Sequence, residues 1–338
     1  MDPKPFSALP ISLLDLATVG EGRSPAETFQ NSLRLARMAE RWGFRRFWLA
    51  EHHNMESVAS SATVVLIGFI AGGTSTIRVG SGGIMLPNHA PLIVAEQFGT
   101  LESLYPGRID LGLGRAPGTD PVTSMALRRE RLAAGYDFPQ NIEELRTYLS
   151  AENRTGRVRA IPGEGLDIPI WILGSSTESA WLAGSLGLPY AFASHFAPAQ
   201  LHAALNLYRQ HFTPSDHLKE PYMMACVNVV AADTDEEATR LSTSFLQLAV
   251  GLVRGRTAPL PPPVESMEGR WTEWEEAAVR AFRTYTFVGA HDRIRKDLQE
   301  FVDHTGVDEL MVASHIYDPA ARLRSYEILH ELWQERKG

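Results

Sequence analysis

Short apolar runs alternate with longer amphipathic stretches along this chain. The runs at 11–14, 47–50, 77–81, 109–113, 170–173, 190–193, 223–231 and 309–313 are nearly continuous in apolar residues, as strands buried on both faces must be. Helical periodicity fills the intervals. Ser24-Pro25-Ala26-Glu27 is a capping box with proline in the first turn, and Phe29, Leu33, Ala36 and Ala39 follow at helical spacing until Gly43. Asp318-Pro319 repeats the start signal for a last helix. Further helices are predicted over 61–72, 91–105, 177–186, 198–211, 235–253 and 290–304.

Eight strands alternating with helices predict an α/β fold with a parallel sheet. A closed (β/α)8 TIM barrel with insertions is the expected form, and an open doubly wound sheet is the alternative. The whole chain, 1–338, is expected to make one domain. Two stretches break the alternation: 151–169 is polar and glycine-containing, and 255–275 carries Pro259, Pro261, Pro262 and Pro263. Each reads as a surface excursion, or as a lid or dimer arm near the barrel mouth.

Composition narrows the function. With 32 basic and 40 acidic residues the net charge is −8, so no footprint for nucleic acid exists; the short basic cluster Arg128, Arg129 and Arg131 is diluted by Glu130. No apolar run reaches the roughly 18 residues of a membrane span. The amino terminus lacks a signal-peptide pattern. The single cysteine, Cys226, lies in an apolar run and reads as a buried small hydrophobe. A soluble cytoplasmic protein is expected.

Polar residues gather directly after the strands: Glu51-His52-His53-Asn54, Gly82-Gly83 with Asn88-His89, Gly114-Arg115, Gly174-Ser175-Ser176, Ser194-His195 and Ser314-His315. In a barrel these six clusters share the carboxyl-end face, where barrel enzymes keep their sites. Ser175 and Ser176 open a helix after Gly174, so amides and hydroxyls there suit a phosphate, with Arg115 as countercharge. The same Ser175-Ser176-Thr177-Glu178 is equally a capping box that only starts a helix, and Glu178 would repel an anion unless turned away. His52 suits a general base, a metal ligand or a hydrogen-bonded structural role. Consecutive histidines at a strand end point apart. Gly82-Gly83 permits close approach of a flat ring, or makes a bulge. The glycines of 112–118 lack the dinucleotide spacing, and Pro117 sits awkwardly among them.

These residues resemble the bacterial luciferase-like flavin-dependent monooxygenases, in particular the members of unknown substrate. The matching segments are Trp48-Leu49-Ala50-Glu51-His52-His53-Asn54, the stretch 77–89 around Gly82-Gly83, Ala95-Glu96-Gln97, the stretch 106–115 ending in Gly114-Arg115, and 187–195 ending in Ser194-His195. The resemblance implies reduced FMN at the carboxyl ends of the strands, a separate flavin reductase to supply it, dioxygen, a small organic substrate and a homodimer. It implies that Arg115 and Ser175 contact the FMN phosphate, with Gly174 and Ser176 in the same loop. It implies a non-proline cis peptide at Gly82-Gly83 against the flavin ring, and proton handling by His52. Gly114 stands where luciferase has a cysteine, and Glu178 where it has a hydroxyl residue. Three other functions stay open: a deazaflavin-dependent hydride transfer on the same fold, a metal-dependent hydrolase using His52, His53, His89, His195 and His315, and a flavin-binding protein without turnover. Substrate choice is expected to lie in 120–140 and 255–275. Phe138, Trp271 and Trp274 are read either as pocket lining or as packing and dimer residues.

Overall fold

A computed structural model describes residues 5–116, 118–127 and 138–335. Pro117 and the basic cluster at Arg128, Arg129 and Arg131, with the rest of 128–137, lie outside the described residues. The strands are β1 (Ile11–Asp15), β2 (Arg46–Leu49), β3 (Arg78–Ser81), β4 (Ile84–Met85), β5 (Ile109–Gly114), β6 (Ile170–Gly174), β7 (Tyr190–Phe192), β8 (Met223–Ala231), β9 (Thr286–Gly289) and β10 (Glu309–Ala313). The helices are α1 (Pro25–Arg41), α2 (Thr63–Gly72), α3 (Pro91–Leu104), α4 (Pro121–Leu127), α5 (Phe138–Leu149), α6 (Thr177–Ser185), α7 (Leu201–His211), α8 (Asp235–Val253), α9 (Glu273–Arg283), α10 (His291–Thr305) and α11 (Pro319–Gln334).

Every strand pairing is parallel, and the order β10-β1-β2-β3-β5-β6-β7-β8 closes through β8–β10. This is the (β/α)8 barrel, and the open sheet is excluded. All eight apolar runs are strands. Two strands lie outside the eight runs, the two-residue β4 and the four-residue β9. β4 follows the glycine pair, and β9 runs beside the carboxyl half of β8, so Asn228 pairs with Ala313 on one side and Thr286 on the other. Helices α4, α5 and α9 were also missed. The signal for α5 was present, since Phe138, Ile142, Leu145 and Leu149 recur at helical spacing and are buried.

Local chemistry starts the helices where expected. Ser24 and Glu27 form the reciprocal capping box of α1, and the Asp318 carboxylate accepts from the Ala320 and Ala321 amides of α11. The main core lies between strands and helices. Inside the barrel the side chains form layers. At the amino ends, Arg46 bridges Asp110 at 2.7 Å and Glu309 at 2.9 Å, and Arg78 joins Asp110. Above this ionic floor sits an apolar layer with Trp48, Trp171, Met224, Met311 and the buried Cys226. Floor and middle are therefore filled, and only the carboxyl ends of the strands are left to hold a ligand.

The excursions separate. Residues 151–169 join α5 to β6, so they lie on the amino-end side, with Gly163 packed against Gly99 of α3. The 255–275 segment comes to the mouth, where Leu260 bridges Gly20 in the loop after β1. Among the described residues no helix is long and apolar enough to cross a membrane.

Candidate active site at the barrel mouth

The glycine pair makes a bulge, with Gly82 half-buried and Gly83 buried. Gly80 pairs with Asp110 and Ile84 with Leu113, so Ser81, Gly82 and Gly83 stand opposite only Leu111 and Gly112. The Ser81 hydroxyl fills the break: it donates to the Gly112 carbonyl at 2.8 Å and accepts from the Gly112 amide at 3.0 Å. The Gly82-Gly83 peptide is cis. A Cβ on Gly82 would lie 2.7 Å from Leu14, and one on Gly83 would lie 2.9 Å from the Gly112 carbonyl, so only glycine fits.

Register places the phosphate candidates side by side. Gly114 of β5 pairs with Leu173 of β6, and Arg115 and Ser175 follow those strands directly. The exposed Arg115 guanidinium has no hydrogen bond or ion pair among the described residues. Ser176, rather than Ser175, caps α6 by accepting from the Ser179 amide. The expected capping box does not form: a simple N-cap stands one residue later, and the Ser175 hydroxyl precedes the helix with no role in capping it. Gly174 makes the tight fit of strand to helix, since a Cβ there would meet the Ser179 hydroxyl at 2.0 Å. A bond from Ser176 lowers the Glu178 carboxyl, with Arg115 a smaller influence, so this carboxylate is engaged by the cap.

The two consecutive histidines diverge. Nδ1 of His52 reaches the Gly118 carbonyl at 3.3 Å, while Nε2 of His53 meets Glu51 at 2.9 Å. Burial lowers the His52 pKa, against the opposing effects of the Gly118 bond and Glu51. A carbonyl only accepts, so the Nδ1 contact places the neutral proton there and leaves the Nε2 lone pair free. Gly118 has φ of +65°, and a Cβ would lie 2.9 Å from the Glu51 carbonyl.

Glu51 organises this side of the mouth, and sequence reading gave it no separate role. Its buried carboxylate accepts from His53 and His89 at 2.9 Å, Asn88 at 3.2 Å and the Met85 amide at 2.9 Å. Burial opposes ionisation, but the bonds from His89, His53 and Met85 outweigh it and bring the carboxyl down to about 2. A carboxylate at a strand end beside two histidines was the available signal.

On the opposite wall stand His195, His315 and Asn228. Burial, reinforced by His315 and His52, brings His195 down to about 3. Burial and the Arg322 charge bring His315 to about 4, against the pull of Asp15. Both rings are therefore neutral at pH 7. Among the described residues, their Nδ1 atoms and Asn228 Oδ1 are buried without a hydrogen-bond partner, so this wall carries polar groups that a ligand could meet. The five histidines weighed as metal ligands do not assemble a centre: no three His, Cys, Asp or Glu side chains among the described residues are placed to hold an ion. Phe138 is buried in the main core and Trp271 packs between α8 and α9, whereas Trp274 is exposed.

The chain belongs to the luciferase-like monooxygenase family, whose family model matches residues 9–309. It is 57% identical over 327 residues to the uncharacterized protein YvbT of Bacillus subtilis, covering 96% of this chain and 97% of that one. It is 51% identical to a luciferase-like monooxygenase of Escherichia coli, covering 97% and 98%. The N-acetyl-S-alkylcysteine monooxygenase of Bacillus subtilis is 32% identical, covering 95% and 97%. Among solved structures, apo-MsnO8 superposes with a TM-score of 0.85 at 37% identity, covering 97% and 98%. The same barrel recurs in the oxygenating constituent of 3,6-diketocamphane monooxygenase in complex with FMN (TM-score 0.72, 20% identity, covering 96% and 97%). It recurs also in an F420-dependent secondary alcohol dehydrogenase (TM-score 0.66, 14% identity, covering 96% and 98%). The chain is thus a flavin-dependent oxidoreductase of the monooxygenase type by family.

Proposed function

We propose that this barrel is the oxygenating component of an FMN-dependent monooxygenase, acting as one domain and as a homodimer. A separate flavin reductase supplies reduced FMN. The observation that carries the reading is the placement of Arg115, without a hydrogen bond or ion pair among the described residues, next to Ser175 at the ends of the adjacent strands β5 and β6, with the Gly82-Gly83 pair, which leaves no room for a Cβ, on the other side of β5. Reduced FMN, when bound, supplies the electrons that activate dioxygen. Arg115, Ser175, Ser176 and the Gly174 turn hold its phosphate. Gly82 and Gly83 lie against its ring. His52 Nε2 takes or returns a proton, with Gly118 fixing the opposite nitrogen. His195, His315 and Asn228 offer the substrate neutral hydrogen-bonding groups, and the apolar layer below excludes water.

FMN is favoured over a deazaflavin because the relatives above 30% identity that carry a functional name are named monooxygenases. An anaerobic titration with reduced FMN, and in parallel with reduced deazaflavin, followed by rapid mixing with dioxygen, tests the reading. Preferred FMN binding and a delay before oxidised FMN appears are expected. Preferred deazaflavin binding, or no binding of either, overturns it.

A further inference from the structure

A second polar cavity lies away from the flavin site. It has a volume of about 40 Å³ and sits among the loop after β1, the start of α11, one face of α1 and Leu260 of the 255–275 segment. That is ample for a few small-ligand atoms, since one water needs only ~10–15 Å³ on this measure. In the strand order β1-β2-β3-β5-β6, β6 stands four strands from β1. The cavity is therefore across the barrel from Arg115 and Ser175.

Its lining is cationic. Arg23, Arg34 and Arg322 all border it, together with Asn31, Thr18 and Ser314, and no carboxylate does. Arg322 pairs with Asp15 at 2.9 Å, and Arg23 lies within electrostatic reach of the exposed Glu27. Arg34 has no hydrogen bond or ion pair among the described residues. The Arg23 guanidinium lies over the Tyr317 ring, 5.0 Å from its centre, which occupies its face and leaves its edge. The Glu27 carboxylate is exposed and hydrogen-bonded to Ser24 in the α1 cap. Two donors here are buried without partners among the described residues: Nε of Arg23 and the hydroxyl of Ser314. Buried donors left unpaired from two different loops mark a place for an acceptor.

We infer that this cavity binds a small oxyanion, a phosphate-type or carboxylate group, held by Arg23, Arg34, Asn31 and Ser314. Guanidinium edges suit either group. The cavity also borders the seam by which Leu260 of the 255–275 segment exchanges backbone bonds with Val19 and Glu21, each at 2.8 Å, and Ser314 immediately precedes His315.

The test is thermal unfolding of the full chain titrated with sodium phosphate and, separately, sodium acetate, each against sodium chloride at equal ionic strength. Arg34→Gln and Arg23→Gln are compared with Arg115→Ala. A saturable rise in Tm with phosphate or acetate that survives Arg115→Ala is expected. Half-saturation should weaken roughly tenfold or more in Arg34→Gln and in Arg23→Gln, as for loss of a charged hydrogen bond. Arg34 is a surface residue, so that variant keeps its ion-free Tm. The response to phosphate or to acetate identifies the anion class. No saturable rise, or a rise lost in Arg115→Ala but kept in Arg34→Gln, overturns the inference. FMN binding is titrated separately, so failure of either site is read independently of the other.

Discussion

The Gly118 carbonyl stands 3.3 Å from Nδ1 of His52 and accepts the His53 amide at the same distance. One backbone oxygen from the loop after β5 thus sets both the tautomer and the direction of the candidate proton carrier after β2. His52→Gln should slow oxygenation by about 10²–10⁴-fold while FMN affinity stays within a factor of two or so. Gly118→Ala should lower the rate with His52 still present, because its φ of +65° and its contact with Glu51 forbid a Cβ. Stopped-flow turnover beside an FMN titration separates the two effects. Unchanged turnover in His52→Gln removes His52 from the chemistry.

Arg115 has no hydrogen bond or ion pair among the described residues and is the proposed contact to the FMN phosphate. Arg115→Ala should weaken FMN binding by about 2–5 kcal/mol, since the pair becomes desolvated on binding. Ser175→Ala should cost about 1–3 kcal/mol as a hydrogen bond to a charged group. Ser176→Ala acts differently, because Ser176 caps α6; its main effect should fall on stability. Fluorescence titration and thermal unfolding of the three variants check this. Equal FMN affinity in Arg115→Ala ends the phosphate assignment.

The barrel was legible because buried parallel strands leave continuous apolar runs, and the mouth was legible because polar residues follow those runs. Contacts between distant backbone atoms were not. Nothing in the composition around Gly118 announces that its carbonyl reaches His52, and Glu51 was hidden because its partners, Met85, Asn88 and His89, come from another loop. Ser175 and Ser176 could not be ranked, because two adjacent serines before a helix both satisfy a cap pattern. The ionic floor left a trace that went unread: Arg46, Arg78, Asp110 and Glu309 are charged positions at or next to the starts of otherwise apolar strands.

Acid should act on the mouth in two stages. His195 and His315 are held neutral, with folded pKa values of about 3 and about 4. The unfolded chain takes up their protons first, so their stabilisation is complete above about pH 6.5 and is lost as pH falls through 6.5 toward those values. Glu51, depressed to about 2, contributes stability above the ordinary carboxylate range that is lost as pH falls from about 4.5 to 2. Urea unfolding between pH 7 and 4 should therefore show a shallower pH dependence in His195→Gln and His315→Gln. Glu51→Gln should alter the slope only below about pH 4.5. An unchanged slope in both histidine variants refutes the first stage.

Arg46 is the keystone of the amino-end floor. It pairs with Asp110 and Glu309 beneath Trp171, whose ring lies 4.8 Å from the guanidinium carbon. Arg46→Met removes the buried cation and leaves Glu309 with the Ser12 and Tyr222 hydroxyls and the more distant Arg45 at 3.9 Å, so a loss toward the lower end of about 3–5 kcal/mol is expected. Arg78 still faces Asp110 at 2.7 Å, which limits the damage to the Glu309 side. Arg46→Met with Glu309→Gln should recover part of the loss. Denaturant midpoints for the single and double variants form the test; simple additivity would show that the two groups do not act together.

The proposed homodimer predicts that exposed apolar side chains of α2 and α3 become covered. α2 reads Thr63-Val64-Val65-Leu66-Ile67-Gly68-Phe69-Ile70-Ala71-Gly72 and has no charged face, although Val65 is 70% exposed and Phe69 37%. Neighbouring α3 adds Ile93 and Leu104, exposed at 45% and 62%. A helix apolar all round belongs inside an assembly, and a contiguous exposed apolar patch marks an interface. A second copy of this chain, packing the same two helices about a two-fold axis, is expected to cover it. Light scattering should give twice the chain mass for the wild type, and the monomer mass for Val65→Glu combined with Ile93→Glu. Both side chains already face solvent in one protomer, so the monomer itself should stay folded. A wild-type protein that is monomeric at micromolar concentration, or a double variant that stays dimeric, would sink this assignment.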